Sequence, residues 1–300
     1  MKVVQHVGDL GHLLDDARGE GRTVGFVPTM GFFHDGHRSL MRAARAHHDV
    51  VVVSLFVNPL QFGPAEDLDG YPRDPEGDAA VCEAEGADIL FVPSGDEMYP
   101  RGRPLTSVAV AELSEGLCGL DRPIHFGGVA TVVTKLFSIV GPCTAYFGKK
   151  DYQQLTIVRR LVDDLSLQVE VVGCPLVREP GGLAMSSRNG YLEPRERDAA
   201  TVLFRALRAG VTEVEAGERD AATIRRVVAN TVTAEQRVRL EYAEVVSADD
   251  LSAIARIQGD VLIAVAARVG KARLIDNVTL SVEGPSVTAD LGVLSGAEME

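Results

Sequence analysis

Short apolar runs alternate with segments of helical periodicity along the first 177 residues. The run at 50–57 is rich in β-branched residues and apolar on both faces, which is typical of a central strand in a parallel sheet. The other predicted strands are 23–29, 88–92, 144–147 and 169–177, and the predicted helices are 36–47, 75–85, 129–140 and 151–165. This alternation predicts an α/β fold with a Rossmann-like, doubly wound parallel sheet over residues 1–177.

The pattern changes after Val177 and predicts a second, smaller α+β domain over residues 178–300. Amphipathic helices are predicted at 195–209 and 221–232, and strands at 238–246, 260–267 and 271–275. We expect this domain to act as a cover over the first. The stretch from about Ser281 is rich in glycine, serine and acidic residues, so we expect it to be loosely ordered.

Polar or glycine-rich segments follow several of the predicted strands. They lie at 29–31, 58–61, 148–151 and 177–179. Because the carboxyl ends of parallel strands meet at one edge of the sheet, these segments are expected to form a ligand site there.

Composition and charge limit the class of ligand. The chain has 300 residues, 46% hydrophobic residues and a net charge of −13, which argues against a nucleic-acid partner. Its four cysteines form no Cys-x-x-Cys pair and are interpreted as buried thiols. The first residues lack the apolar core of a signal peptide, and no apolar run approaches the ~20 residues of a membrane span, so we expect no membrane partner and a cytoplasmic location.

The segment Pro28–His37 has the features of a phosphate site. A strand ends there, glycines allow close backbone approach, and a helix begins near Gly36, where unpaired N–H groups attract anions. His34 and His37 are three residues apart and can project from one face of the first helical turn. Imidazoles can donate hydrogen bonds to phosphoryl oxygens. Taken alone, they could equally be ordinary turn histidines.

Two further segments could bind an anion. Ser186-Ser187-Arg188 offers two hydroxyls and a forked guanidinium, although an N-cap serine in a simple loop would give the same pattern. Lys149 and Lys150 precede a predicted helix in an acidic chain. Lysine at a helix start opposes the helix dipole, which favours a functional explanation over a solvated helix start.

Asn58 and Gln61 are amides flanked by apolar residues. Such amides suit a neutral pocket that binds hydroxyl and carboxyl groups, and they are equally compatible with a turn.

Taken together, these motifs resemble the pantothenate synthetase (pantoate–β-alanine ligase) family, within the nucleotidyltransferase superfamily that shares the His-x-Gly-His element. The resemblance extends to about Leu280. Its motifs are Phe26–His37, Phe56–Gly63, Asp67-Leu68-Asp69, Tyr71-Pro72-Arg73, His125-Phe126, Phe147–Gln154 and Val177–Leu192.

The resemblance implies a two-step reaction with ATP and Mg²⁺. The carboxylate of pantoate would attack the α-phosphorus of ATP, and the amine of β-alanine would then attack the resulting pantoyl adenylate. The family also implies a homodimer formed through the first domain.

The resemblance also implies roles for individual residues. His34, His37, Lys150 and Arg188 would be catalytic, with the histidines stabilising phosphate charge. Gln61 and Gln154 would bind pantoate, and Gln61 would also line the β-alanine site. The residues implied to contact ATP are Met30, Gly31, Phe32, Phe33, His34, Asp35, Gly36, His37, Gly148, Lys149, Lys150, Asp151, Val177, Met185, Ser186, Ser187 and Arg188.

Three positions depart from the family pattern. Gly77-Asp78 stands where an acidic pair is common, which leaves Asp78 as the metal-side carboxylate. Phe32-Phe33 replaces a small residue and leucine, and Gly181-Gly182 replaces an Asp-Gly step.

Two alternative functions remain open from the sequence. A nucleotidyltransferase that stops at nucleotide transfer would share the histidine and Ser-Ser-Arg motifs but would not require Asn58, Gln61 and Gln154. A catalytically silent nucleotide-binding module would not require intact His34, His37, Lys150 and Arg188.

Overall fold

The computed structural model describes residues 1–63, 68 and 70–296. Of the motifs above, Asp67 and Asp69 lie outside the described residues. The chain divides into two compact units, the first made of Met1–Lys149 and Gln153–Cys174 and the second of Lys150–Tyr152 and Pro175–Glu300. The sequence placed this division after Val177, whereas the structure assigns 175–177 and the short segment around Asp151 to the second unit.

The first unit alternates strands and helices. Its elements in chain order are β1 (Lys2–Val4), α1 (Val7–Gly19), β2 (Val24–Thr29), α2 (Asp35–His47), β3 (Val50–Leu55), α3 (Pro75–Ala84), β4 (Ile89–Phe91), α4 (Gly95–Met98), α5 (Cys118–Asp121), α6 (His125–Val140), β5 (Cys143–Gly148), α7 (Tyr152–Asp164) and β6 (Val169–Cys174).

The strands of the first unit form one six-stranded parallel sheet in the order β1-β4-β3-β2-β5-β6. From the β2–β5 pair, the chain runs outward through β3 and β4 on one side and to β6 on the other, with β1 at the edge beside β4, as in a doubly wound fold. The predicted fold class is confirmed. The sequence did not predict β1 and α1.

Both faces of this sheet are buried, and alternate residues of β3 pack into different cores. Val50 and Val52 pack with α1, α6 and α7, whereas Val51 and Val53 pack with α2 and α3. This alternation explains why the strand is apolar at every position rather than at every second one.

The last predicted strand, 169–177, is wrong as one element. Strand β6 ends at Cys174, because Pro175 cannot donate to a ladder. The chain resumes extended structure at β7 (Val177–Arg178), which pairs in parallel with β12 (Val293–Leu294) in a separate sheet.

The described part of the second unit, up to residue 296, contains three α-helices and an antiparallel sheet. Its remaining elements are α8 (Pro194–Ala200), α9 (Val202–Glu215), α10 (Ala221–Thr233), β8 (Val238–Ser247), β9 (Gly259–Val269), β10 (Ala272–Glu283) and β11 (Ser286–Asp290). The sheet order is β11-β10-β9-β8, and α9 and α10 cover its apolar face.

The expectation of a loosely ordered stretch from Ser281 was wrong for the described residues. Strand β10 continues to Glu283, and β11 pairs with it over five residues, from Thr279↔Asp290 to Glu283↔Ser286. The acidic and small residues here lie in a hairpin whose turn contains Gly284 at φ 59°. The composition of this stretch alone suggested disorder, but residues 286–290 form a strand because they pair with β10.

The guanidinium of Arg178 forms a buried ion pair in the second unit. Its Nη1 lies 2.7 Å from Asp276 Oδ2 and its Nη2 lies 2.9 Å from Oδ1, which is a bidentate arrangement. Nη1 also donates to Gly182 O at 3.0 Å, and the guanidinium carbon lies 4.0 Å from the centroid of the Phe204 ring. This ion pair joins β7 to β10. Because the two strands are far apart in the sequence, no local pattern predicts the pair.

None of the helices in the described part of the chain is long and apolar enough to cross a membrane.

We predict that Asp276→Ala destabilises the second unit by about 3–5 kcal/mol, because it leaves the Arg178 charge buried without its partner. Denaturant unfolding measures this loss. The matched control is Asp164→Ala, which removes an exposed i,i+4 partner of Arg160 and should cost no more than about 0.5 kcal/mol. Equal losses in the two variants would contradict the role of the buried pair.

Candidate active site

Strands β2 and β5 are neighbours at the point where the strand order of the sheet reverses. Their ladder pairs Gly25 with Thr144 and Phe26 with Ala145, whereas β2 pairs with β3 along its whole length to Thr29↔Leu55. Strands β2 and β5 therefore both continue beyond the residues through which they pair with each other. A crevice at such a switch point is where open α/β sheets bind ligands.

The segment after β2 turns sharply before α2 begins. Gly31 has φ 91° and Phe32 has φ 56°, and both values lie in the left-handed region. This conformation is unfavourable for phenylalanine and must be held by neighbouring groups. It turns the backbone N–H groups of Phe32 and Phe33 toward the interior of the first unit.

Asp78 on α3 holds this turn. Its Oδ2 accepts a hydrogen bond from Phe32 N at 2.8 Å and its Oδ1 accepts one from Phe33 N at 2.8 Å, and only 3% of its surface is exposed. A Cβ atom at Gly31 would lie 2.7 Å from Asp78 Oδ2, so glycine is needed there. Burial raises the pKa of Asp78, although the two backbone donors favour the ionised form.

The two histidines cap the start of α2. His34 Nδ1 accepts from Gly36 N at 3.1 Å, and His37 Nδ1 accepts from His34 N at 3.4 Å. Because backbone N–H groups can only donate, the ring hydrogen of each neutral imidazole lies on Nε2. The rings are 4.2 Å apart between centroids. The two rings therefore lie together at a helix N-terminus, an arrangement that suits phosphate oxygens.

Gln61 lies beside this turn. It is the last residue of the 3-10 turn Pro59–Gln61, and its Nε2 donates to Met30 Sδ at 2.9 Å. His125 Nδ1 lies 3.0 Å from Gln61 O, and the first residues of α6 pack so closely that a Cβ at Gly128 would lie 2.3 Å from Leu60 O. The first unit thus places Gln61 against Met30, which lies four residues before His34 in the chain.

The adjacent glutamines at the start of α7 have different environments. Gln153 is buried, and its side chain bonds to Leu113 O, Gly116 O and Cys118 N at 2.8–3.0 Å. Gln154, the predicted pantoate ligand, is half-buried. Gln153 therefore holds the segment before α5, a role that the sequence did not distinguish from that of Gln154.

Of the remaining cationic candidates, Lys150 and Arg188 lie in the second unit, whereas Lys149 belongs to the first. Lys150 and Asp151 belong to the 3-10 turn Lys149–Asp151, and Asn277 on β10 donates from Nδ2 to Lys150 O at 2.8 Å. Asn277 was missed by the sequence analysis, because its partner is 127 residues away.

The Ser-Ser-Arg motif opens the 3-10 turn Ser187–Tyr191. Ser186 is its N-cap, and its hydroxyl accepts a hydrogen bond from Arg188 N at 3.3 Å. The segment predicted to bind phosphate therefore also caps this turn. Ser186, Ser187 and Arg188 are half-buried, as is Met185, whereas Val177 is buried in β7.

The donor set around Asp78 does not fit a resident metal ion. Both of its oxygens accept backbone hydrogen bonds, and the described residues contain no group of three or more His, Cys, Asp or Glu side chains placed to hold a metal. The expectation that Asp78 is a metal-side carboxylate is therefore not supported by its surroundings. We derive no step through a protein-bound magnesium ion.

Comparison with known proteins decides the family. The model of the family described as Pantoate-beta-alanine ligase matches residues 2–279. The chain belongs to the pantoate–β-alanine ligase family. Within that family, it is 51% identical over 282 residues to the pantothenate synthetase of Heliobacterium modesticaldum, covering 94% of this chain and 100% of that one. The match makes this chain an enzyme of the ligase class.

Solved structures of the family share the fold. The crystal structure of pantothenate synthetase from Thermus thermophilus is 46% identical with a TM-score of 0.88, covering 92% of this chain and 98% of that chain. The enzyme from Francisella tularensis, solved in complex with β-γ ATP and β-alanine, is 31% identical with a TM-score of 0.74, covering 95% and 100%.

We predict that Asp78→Asn loosens the turn at Phe32 and Phe33, because one of the two backbone donors then faces an amide NH₂ instead of an acceptor. Hydrogen exchange at these two amides should become about tenfold faster, as expected for the loss of roughly 1.4 kcal/mol.

The matched control is Asp74→Asn on the same helix. Asp74 caps α3 by accepting from Gly77 N at 3.0 Å, so its variant should affect the start of α3 and leave the amides of Phe32 and Phe33 unchanged. Unchanged exchange in the Asp78 variant would contradict the holding role.

Proposed function

We propose that this chain condenses pantoate with β-alanine, using ATP, through a pantoyl-adenylate intermediate. The observation that carries the proposal is the contact between Gln61 and Met30, because Met30 immediately precedes the turn that leads to His34 and His37. Family membership and the ATP and β-alanine complex of the Francisella tularensis relative support the choice of substrates.

In the first step, a carboxylate oxygen of pantoate attacks the α-phosphorus of ATP, and the bond to the bridging oxygen breaks to release pyrophosphate. This step needs positioning and stabilisation of negative charge rather than a proton. We assign that stabilisation to the Nε2–H groups of His34 and His37 and to the N-terminus of α2. Gln61 and Gln154 would hold the pantoate.

In the second step, the amine of β-alanine attacks the acyl carbon of the adenylate. The bond from that carbon to the phosphate oxygen breaks, AMP leaves, and the amine loses a proton. A free carboxylate would be a poor electrophile, whereas AMP is a good leaving group. We place β-alanine beside Gln61, which lines both acid sites in this proposal.

We assign further phosphate contacts to Lys150, Ser186, Ser187 and Arg188 of the second unit. Guanidinium and ammonium groups stabilise transferring phosphoryl groups by charge. The residues Gly148, Lys149, Asp151, Val177 and Met185 would border the nucleotide, as would the turn from Met30 to His37. The second unit would act as a cover that shields the adenylate from water.

We propose that Mg²⁺ enters bound to the phosphates of ATP, as an oxygen-ligated ion that keeps part of its water shell. This proposal agrees with the engagement of both Asp78 oxygens by backbone donors.

The family resemblance also leads us to propose a homodimer formed through the first domain. Light scattering on the purified chain tests it, and a monomeric mass would reject it.

A nucleotidyltransferase that stops at nucleotide transfer is the second candidate. It shares the histidine turn but gives no reason for the buried amides Asn58 and Gln61 beside it.

The assay that tests the proposed function supplies ATP, pantoate and β-alanine and omits each in turn, with products identified by mass spectrometry. We expect AMP and pantothenate only when all three substrates are present. With ATP and pantoate alone, we expect at most one molecule of pyrophosphate per enzyme molecule. Repeated release of pyrophosphate without the amine, with the nucleotidyl product accumulating and no free AMP formed, would favour the second candidate.

We predict that His37→Ala slows adenylate formation by about two orders of magnitude, as for loss of a positioned electrostatic donor. Rapid-quench measurement of pyrophosphate release checks the rate, and the melting temperature checks the fold. The control is His47→Ala at the other end of α2, which should release pyrophosphate at the wild-type rate. A wild-type rate in the His37 variant would refute the role.

A further inference from the structure

The orientation of the Asn58 amide is set by backbone groups of fixed polarity. Its Oδ1 accepts from Leu60 N at 3.3 Å, and its Nδ2 donates to Gly128 O at 3.1 Å. A backbone N–H can only donate and a carbonyl can only accept, so the amide cannot be reversed without placing like groups against each other. Asn58 is 1% exposed, and water is not available to compensate for such a reversal.

Asn58 in turn orients Gln61. The second hydrogen of Asn58 Nδ2 points to Gln61 Oε1 at 3.2 Å, so the oxygen of Gln61 must face Asn58. The NH₂ group of Gln61 therefore points away from Asn58, toward Met30 Sδ at 2.9 Å. One N–H is directed at that sulfur, which leaves the other to donate to a ligand.

Tyr99 completes the network. Its hydroxyl donates to Asn58 Oδ1 at 2.8 Å, since that oxygen can only accept. Tyr99 follows α4, is 9% exposed and packs against Phe56 at 6.0 Å between ring centroids. Burial raises the pKa of Tyr99 to about 12, so the phenol keeps its proton. All four hydrogen-bonding sites of the Asn58 amide are then filled.

We propose that Tyr99 is a positioning residue, which acts through Asn58 to fix the Gln61 side chain as a hydrogen-bond donor toward the acid substrate. The proposal rests on the function proposed for Gln61. A donor at this point selects a substrate that presents a carboxylate or hydroxyl oxygen and disfavours one that presents an N–H group.

The first test is Tyr99→Phe, which keeps the ring and removes only the hydroxyl. We expect the KM for pantoate to rise about five- to tenfold, as for the loss of one buried hydrogen bond, while the KM for ATP stays within about twofold of wild type. The difference between the two KM values separates positioning from general loss of structure.

The matched control is Tyr146→Phe. Tyr146 lies on β5 of the same unit, is 2% exposed, and its hydroxyl lies 2.9 Å from His48 Nε2. Its variant removes a comparable buried hydrogen bond and should lower the melting temperature to a similar degree. Both KM values should remain at the wild-type level.

A second variant, Asn58→Asp, tests the same network by polarity. Its carboxylate would face Gln61 Oε1, so the Gln61 amide would have to rotate and present its oxygen to the substrate. We expect a larger rise in the KM for pantoate than Tyr99→Phe causes. This variant also keeps the proposal testable if Tyr99→Phe fails to fold.

A readout without substrate separates this inference from the proposed function. Hydrogen exchange of the Gln61 side-chain NH₂, followed by NMR in the free protein, should speed up in Tyr99→Phe and not in Tyr146→Phe. If wild-type protein fails to use pantoate but shows this difference, the proposed function fails and the positioning stands. Unchanged exchange together with an unchanged KM for pantoate in Tyr99→Phe would overturn the inference.

Discussion

The two hydrogen bonds from the Asp78 carboxylate to the backbone of Phe32 and Phe33 are the constraint on which the proposed nucleotide site depends. The turn between β2 and α2 contains two residues with positive φ, one of them a phenylalanine, and such a backbone persists only where neighbouring groups hold it. Buried N–H groups also need acceptors, and Asp78 supplies them from a different helix. The position of His34 at the start of α2, and through it that of His37, follows from this turn.

The same physical rule operates at the other sites. Backbone groups of fixed polarity orient Asn58, and Asn58 orients Gln61, so that a side chain proposed to meet substrate is controlled by groups that never touch it. In the second unit, Asn277 binds the backbone of Lys150, and its neighbour Asp276 pairs with Arg178. Arg178 is therefore held within the protein, and the cations of this unit that we assign to phosphate are Lys150 and Arg188.

The sequence predicted the features that depend on local pattern and missed those that depend on distant partners. The doubly wound sheet followed from strands such as β3 that are apolar on both faces. The proposed position of the site rests on the rule that ligands bind at the carboxyl ends of such strands. By contrast, the sequence around Asp78 would be the same whether its carboxylate bound a metal ion or accepted hydrogen bonds from a turn 46 residues earlier in the chain. Strands β11 and β12 were missed because their composition suggested disorder and their partners supplied the order. No pattern in the sequence singled out Tyr99 as a residue of the site, because its partner Asn58 is 41 residues away.

The central claim is that the acid is activated as an acyl adenylate, and transfer of oxygen tests it most directly. Pantoate labelled with ¹⁸O in both carboxylate oxygens is allowed to react with ATP and β-alanine on the enzyme. The masses of the products are then measured by mass spectrometry. Attack of a carboxylate oxygen on the α-phosphorus, followed by cleavage of the carbon–oxygen bond, predicts one ¹⁸O in AMP and one in pantothenate. AMP without label, or label in pyrophosphate or inorganic phosphate, would contradict the account.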